Sequence, residues 1–119
     1  MIRRSFNRSD RVADVIHRAL AGLIRDKFRE EPRVGMVTIS AVKVSPDLKY
    51  AKVFVTILED AKTAESLLLL NQAAGFFRSH LAKSLNLRVA PVVAFTLDES
   101  EVRARRIYTL LGQTTVDSL

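Results

Sequence analysis

Residues 36–45 and 50–58 form two β-rich runs that meet at Ser45-Pro46-Asp47-Leu48. That composition suits a tight turn, so the stretch is predicted to fold as a hairpin. The first run does not alternate cleanly. Val37, Ile39 and Ala41 keep one parity, whereas Val42 and Val44 take the other. A bulge near Ala41 reconciles the two halves, because one extra residue shifts the side-chain phase of a strand.

The segments on either side of the hairpin carry helical periodicity. Over residues 9–28, Val12, Ile16, Ala19, Leu20, Leu23 and the aliphatic stem of Lys27 recur on one side of a helix, with Ser9 as the expected N-cap. Arg11, Arg18 and Arg25 stand seven apart on the opposite side, a spacing that drifts only ~20° per two turns, and Arg29 extends the row if the helix continues. Residues 60–74 and 76–87 read as two more helices. Leu67, Leu70 and Ala74 share a face of the first, and Phe77, Leu81 and Leu85 share a face of the second. Gly75 falls between them and reads as a bend, since glycine inside a helix costs about 1 kcal/mol relative to alanine.

Pro91 opens a short strand over residues 92–97, a position where its missing N–H need not enter a ladder. Asp98 and Glu101 then offer a start for a final helix through about residue 111, with Gly112 as its terminator. No repeat or linker divides the chain, so residues 1–119 are expected to form a single α+β domain with helices on one face of a three-stranded mixed sheet. Residues 1–8 are read as a flexible basic arm.

At 119 residues with 48% apolar content, such a domain can build its core without a metal or a disulfide. The absence of cysteine fits a reducing cytoplasm. No apolar stretch approaches the roughly 20 residues of a membrane helix, and no membrane partner is expected. Arg3-Arg4-Ser5-Phe6 superficially resembles a twin-arginine export signal, but polar residues 7–11 occupy the place of its apolar region. The excess of 19 basic over 13 acidic residues gives a formal charge of +6, which favours polyanionic partners.

Catalytic constellations do not stand out. His17 and His80 are given structural or surface roles, since no metal-binding histidine spacing occurs. Asp98, Glu99 and Glu101 are assigned to the positive end of a helix dipole, as are Glu59 and Asp60. Four glycines without a phosphate-cradling array leave no nucleotide fingerprint; neither a metal nor a cofactor is expected.

The strongest hint is basic. Arg11, Arg18 and Arg25 read either as a solvated helix face or as contacts to nucleic-acid phosphates, and Arg3, Arg4 and Arg8 in the lead segment strengthen the second reading. Lys43, Lys49 and Lys52 around the hairpin, and Arg78, Lys83 and Arg88 on or after the third helix, are further candidates. Tyr50 and Phe54 share parity with Lys52, but Phe54 is expected to pack under a helix rather than stack on a base.

Several short segments occur in a telling order: Arg11-Val12-Ala13-Asp14, then Val44-Ser45-Pro46-Asp47-Leu48 with Ala51-Lys52-Val53, then Ala73-Ala74-Gly75-Phe76 followed by Arg78. Leu87-Arg88-Val89, Pro91, Phe95, Asp98, Ser100 and Arg106-Ile107 complete the series, with Ala104 where glycine is often found. In these segments the chain resembles the ribosome-binding factor A family over nearly its whole length. Its α-β-β-α-α-β order with a short C-terminal helix is similar to the type II KH-like fold. In that family an Ala-x-Gly interhelical kink replaces the Gly-x-x-Gly RNA-gripping loop of KH domains, and Ala73-Ala74-Gly75 supplies it. The resemblance implies a non-catalytic cytoplasmic monomer that binds the immature small (30S) ribosomal subunit and its 16S rRNA. It further implies assistance to late rRNA maturation including the 5′ end, support of growth in the cold, departure before translation, and room for other assembly factors as partners. Two alternatives stand beside it: a generic KH-like RNA or single-stranded DNA-binding protein, and a small hydrolase using His17 or His80.

Overall fold

The computed structural model describes residues 8–86, 88 and 90–100. Helix α1 (Arg8–Lys27) leads into the antiparallel pair β1 (Val37–Val44) and β2 (Tyr50–Ile57). A 3₁₀ turn at Asp60–Lys62 introduces α2 (Thr63–Gln72), α3 (Ala74–Ser84) follows, and β3 (Val92–Leu97) closes the sheet parallel to β2 in the order β1-β2-β3. The expected final helix over residues 98–111 and its terminator Gly112 lie outside the described residues.

In α1, Ile16, Leu20 and Ile24 are buried at spacing four, with Val12, Ala19 and Leu23 packed beside them. Arg8 and Ser9 both lie within the described helix, so Ser9 is not its N-cap and Arg8 belongs to the helix rather than to a lead arm. Asp10 in the first turn and Arg25 and Lys27 in the last match the signs of the helix dipole. Beyond α1, Glu31 accepts hydrogen bonds from Arg33 Nε (2.9 Å), Nη2 (2.8 Å) and backbone N–H (3.1 Å). These bonds hold the Glu31 carboxyl down at about 2.

The anticipated bulge falls at Ser40. Ile39 faces Val55 and Ala41 faces Phe54, so Ser40 has no place in the register. This extra residue brings Val37 and Ile39, then Val42 and Val44, onto the helix side in spite of their opposite parity. In the hairpin turn Ser45 Oγ donates to Asp47 at 2.7 Å, and Asp47 accepts the Lys49 N–H at 3.1 Å. Both bonds lower the Asp47 pKa, that from Ser45 most. Leu48 adopts a left-handed φ of 64° to close the turn.

The core lies between the helices and one face of the sheet. Phe77 of α3 is fully buried and meets Phe28 and Phe95 edge-on, at centroid separations of 6.4 and 5.7 Å. Two polar side chains organise this side. Buried Ser66 accepts the Gly35 N–H at 2.9 Å. Asn71 accepts the Phe95 N–H at 2.8 Å and donates to the Phe95 carbonyl at 3.1 Å. Those two bonds occupy the backbone of β3 on the edge away from β2, protecting a strand edge that would otherwise be open to pairing.

The bend between α2 and α3 falls at Ala73 (φ −90°, ψ 5°), one residue before the second helix begins. Gly75 therefore lies within α3 and not at the junction. Its φ is not positive, and a Cβ there would meet nothing within 4 Å. The conformational freedom of glycine is not what makes this bend. Gly35 shows the contrast: a Cβ there would lie 3.1 Å from Ile57 Cγ2 and 3.2 Å from Glu59 Oε1, a tight fit that those two side chains would have to relieve by shifting.

Candidate nucleic-acid interface

Arg11, Arg18 and Arg25 are all exposed on the side of α1 opposite Ile16 and Leu20, while Arg29, also exposed, lies in the turn after the helix ends at Lys27 and so does not extend the row along α1. Arg18 is paired with Asp14 and Arg29 with Asp26, in solvent-exposed contacts one helical turn long. Exposed pairs of this kind are worth little, so they do not tie up a guanidinium against a phosphate. Arg25 and Arg29 also border a groove of about 590 Å³ between α1 and the start of β1, floored by Ile24, Phe28 and residues 34–39, with His17 in its wall. Arg3 and Arg4 lie outside the described residues.

The hairpin lysines occupy a different surface. Ala51, Val53, Val55 and Ile57 of β2 are buried beneath the helices, which turns Tyr50, Lys52, Phe54 and Thr56 to the opposite face. Lys43 stands directly across from Lys52. Their ammonium groups lie 5.9 and 5.4 Å from the centroid of the Phe54 ring, within cation–π range. Phe54 thus does not pack under a helix, as its apolar character suggests it should. The aliphatic run at the odd positions of β2 is the signal that assigns it to the open side. Lys49, in the turn, is exposed at the end of the same strand.

The third group divides. Arg78 is half-buried and donates from Nε to the Ala90 carbonyl at 3.0 Å, which fixes the chain entering β3 and makes its role at least partly structural. Lys83 and Arg88 are exposed. Ala73 and Ala74 are half-buried, and Gly75 is exposed. The arginines of α1 and the lysines of the hairpin consequently point away from opposite sides of the two layers, not toward a common face.

One cluster has no counterpart among the sequence expectations. Lys27, expected to lay its stem on the apolar side of α1, is exposed, and its Nζ lies 4.5 Å from the centroid of Phe76. The Phe76 ring is 4.3 Å from that of His80, whose Nδ1 is 3.0 Å from the Phe76 carbonyl. The spacing of four between Phe76 and His80 is the sequence signal for this contact. Among the described residues no group of three or more His, Asp or Glu side chains is placed to hold a metal ion, and no helix is long and apolar enough to cross a membrane.

Comparison with known proteins places this geometry. Residues 8–111 match the family described as ribosome-binding factor A. The ribosome-binding factor A of Chromohalobacter salexigens is 44% identical over 117 residues, covering 96% of this chain and 88% of its own. That of Teredinibacter turnerae is 46% identical over 113 residues, covering 92% and 85%. Among solved structures, the crystal structure of ribosome-binding factor A from Thermus thermophilus superposes with a TM-score of 0.66 at 25% identity, covering 76% of this chain and 97% of that one. A Thermus thermophilus ribosome-binding factor A model fitted into the cryo-electron-microscopy map of a complex with the 30S subunit gives 0.59 at 27% identity, covering 71% and 89%. By its sequence and its fold, the chain belongs to the ribosome-binding factor A family.

Proposed function

We propose that this protein is a ribosome biogenesis factor that binds the immature small ribosomal subunit and assists late maturation of 16S rRNA, including its 5′ end, without breaking bonds itself. The observation that carries the reading is the exposed arginine row of α1 in a chain whose structural relative was fitted into a 30S complex. The arginines contact phosphates, and the shape of the assembled RNA supplies selectivity. Tighter binding to one rRNA conformation than to another shifts the subunit population toward a productive arrangement. In this reading residues 1–119 form one type II KH-like domain acting as a cytoplasmic monomer, other assembly factors join it on the subunit, and Arg3 and Arg4 add to the positive charge available to RNA. Support of growth in the cold follows if the conformational step it assists slows at low temperature. A hydrolase using His17 is disfavoured by the groove beside it, where no carboxylate lies among the described lining residues.

The test replaces Arg11, Arg18 and Arg25 together by Gln, which keeps good helix propensity while removing charge. Affinity for purified small-subunit precursors should fall and its salt dependence flatten, by ~0.7 in log–log slope for each lost phosphate contact on a single-strand scale. Unchanged affinity and slope in a folded variant would assign the row to solubility. Tight binding to naked oligonucleotides with no preference for the subunit would favour the generic RNA or DNA-binding alternative.

A further inference from the structure

The open face of the sheet has features that a merely solvated surface does not require. Tyr50 is 61% exposed and Phe54 stands four residues along the same strand, roughly 13 Å away at ~3.3 Å per residue. Lys52 lies between them, with Lys43 across from it. On the flanking strands the cross-strand partners are mostly small: Ala41 and Thr96 beside Phe54, and Ala94 beside Lys52. Val92, beside Tyr50, is larger, and it too is exposed. Tyr50 is open to solvent, Phe54 is half-buried with its ring beside the two lysines, and the three strands contain no acidic residue.

We propose that this face, with Tyr50 and Phe54 as its two rings and Lys43 and Lys52 as its cations, is a platform on which bases of an unpaired RNA strand stack while the lysines neutralise the adjoining phosphates. The inference rests on the reading of the protein as an rRNA binder and names the class of RNA that this face takes. A π-face accepts any base, so recognition here is of unpaired strand rather than of sequence. Lys43 and Lys52 already lie over the Phe54 ring and need only swing outward to meet phosphates as a base takes their place. A duplex, whose bases are stacked on one another, has no free π-face to offer.

The experiment titrates the full chain with a short fluorescent oligouridine, with an RNA duplex of equal length, and with purified small subunits. Tyr50→Thr combined with Phe54→Thr keeps strand-forming residues on a face remote from the core. With both stacks lost, it should weaken oligouridine binding roughly thirtyfold or more while leaving the salt slope unchanged. Lys43→Gln with Lys52→Gln should instead flatten the slope by about 1.4, and Phe54→Trp should retain affinity. The duplex should bind more weakly than oligouridine and be indifferent to the aromatic pair. If the aromatic variants melt like the wild type and neither the oligouridine nor the subunit titration moves, the platform is wrong although the protein still binds RNA. A wild-type chain that binds neither RNA nor small subunits overturns this inference together with the reading beneath it. Concentration-dependent dimerisation that the aromatic variants abolish, with RNA binding intact, assigns the face to a second copy of the chain and likewise overturns the proposal.

Discussion

The two faces of β2 carry different kinds of information in alternate residues. Toward the helices, Ala51, Val53, Val55 and Ile57 are buried against Leu70, Phe77 and Leu81, where the fit of apolar side chains sets stability. Toward the opposite side, Tyr50, Lys52, Phe54 and Thr56 meet solvent and one another. Since side chains alternate with period two, a single strand serves as a wall of the core and as a surface available to a partner. Substitutions on the first parity should register mainly in folding, and those on the second mainly in binding.

Two phenylalanines put the largest number on that division. Phe95 of β3 is 5% exposed and packs edge-on to Phe77 at 5.7 Å, so Phe95→Ala should cost about 3–5 kcal/mol through lost burial and the cavity left behind. Phe54 stands on the open face with two lysines over its ring; Phe54→Ala should cost only about 1 kcal/mol. Urea unfolding of both variants checks this, and equal losses would show that the two faces are not separate in energy.

Hydroxyl groups sharpen the same contrast at a smaller scale. Ser66 is fully buried and accepts the Gly35 N–H; Ser66→Ala leaves that donor without its partner and should cost about 1–3 kcal/mol. Ser40, the bulge residue, is exposed and donates to the Phe54 carbonyl at 3.3 Å. Ser40→Ala should lie within about 0.5 kcal/mol of the wild type. Matching denaturation midpoints for the two variants would refute the assignment.

What can be read from the sequence is local. The strands, the bulge and the arginine row of α1 follow from spacing along a single element, and the structure puts them where spacing implies. Apolarity weighed alone sends Phe54 to the wrong side, because the wholly aliphatic alternate positions of β2 already fill the core side. Ser66, Asn71 and Arg78 are illegible for a different reason. Their partners, Gly35, Phe95 and Ala90, are brought close by tertiary packing. No periodicity encodes which buried carbonyl or N–H a polar side chain will satisfy. Composition places the bend between α2 and α3 at Gly75, whereas the backbone turns at Ala73.

That last difference yields a prediction of opposite sign. Gly75 lies in α3 with open space where a Cβ would project, so Gly75→Ala should stabilise the protein by up to about 1 kcal/mol. Gly35, buried on the helix side, has Ile57 and Glu59 in the way, and Gly35→Ala should destabilise. Thermal unfolding of the pair separates a crowded glycine from one that packing does not require. A destabilised Gly75→Ala would return the bend to glycine.

The smallest effect concerns two surface carboxylates, of which Glu31 is half-buried and Asp47 exposed. Glu31, after α1, is held down at about 2 by its hydrogen bonds from Arg33, and Asp47, in the hairpin turn, is lowered by Ser45 and the Lys49 N–H. A carboxyl whose pKa is depressed on folding binds protons more readily in the unfolded chain. Its contribution is therefore present above the ordinary value and lost as pH falls through the folded one. For Glu31 that window runs from 4.5 down to about 2. Glu31→Gln should melt slightly below the wild type near neutral pH, and the gap should close as the solution is acidified across this window. Because the pair lies at the surface, with the Arg33 side chain open to solvent, added salt should narrow the gap as well. A melting difference that stays constant with pH and with salt would mean that Glu31 supports the turn through hydrogen-bond geometry that glutamine cannot reproduce, and not through its charge.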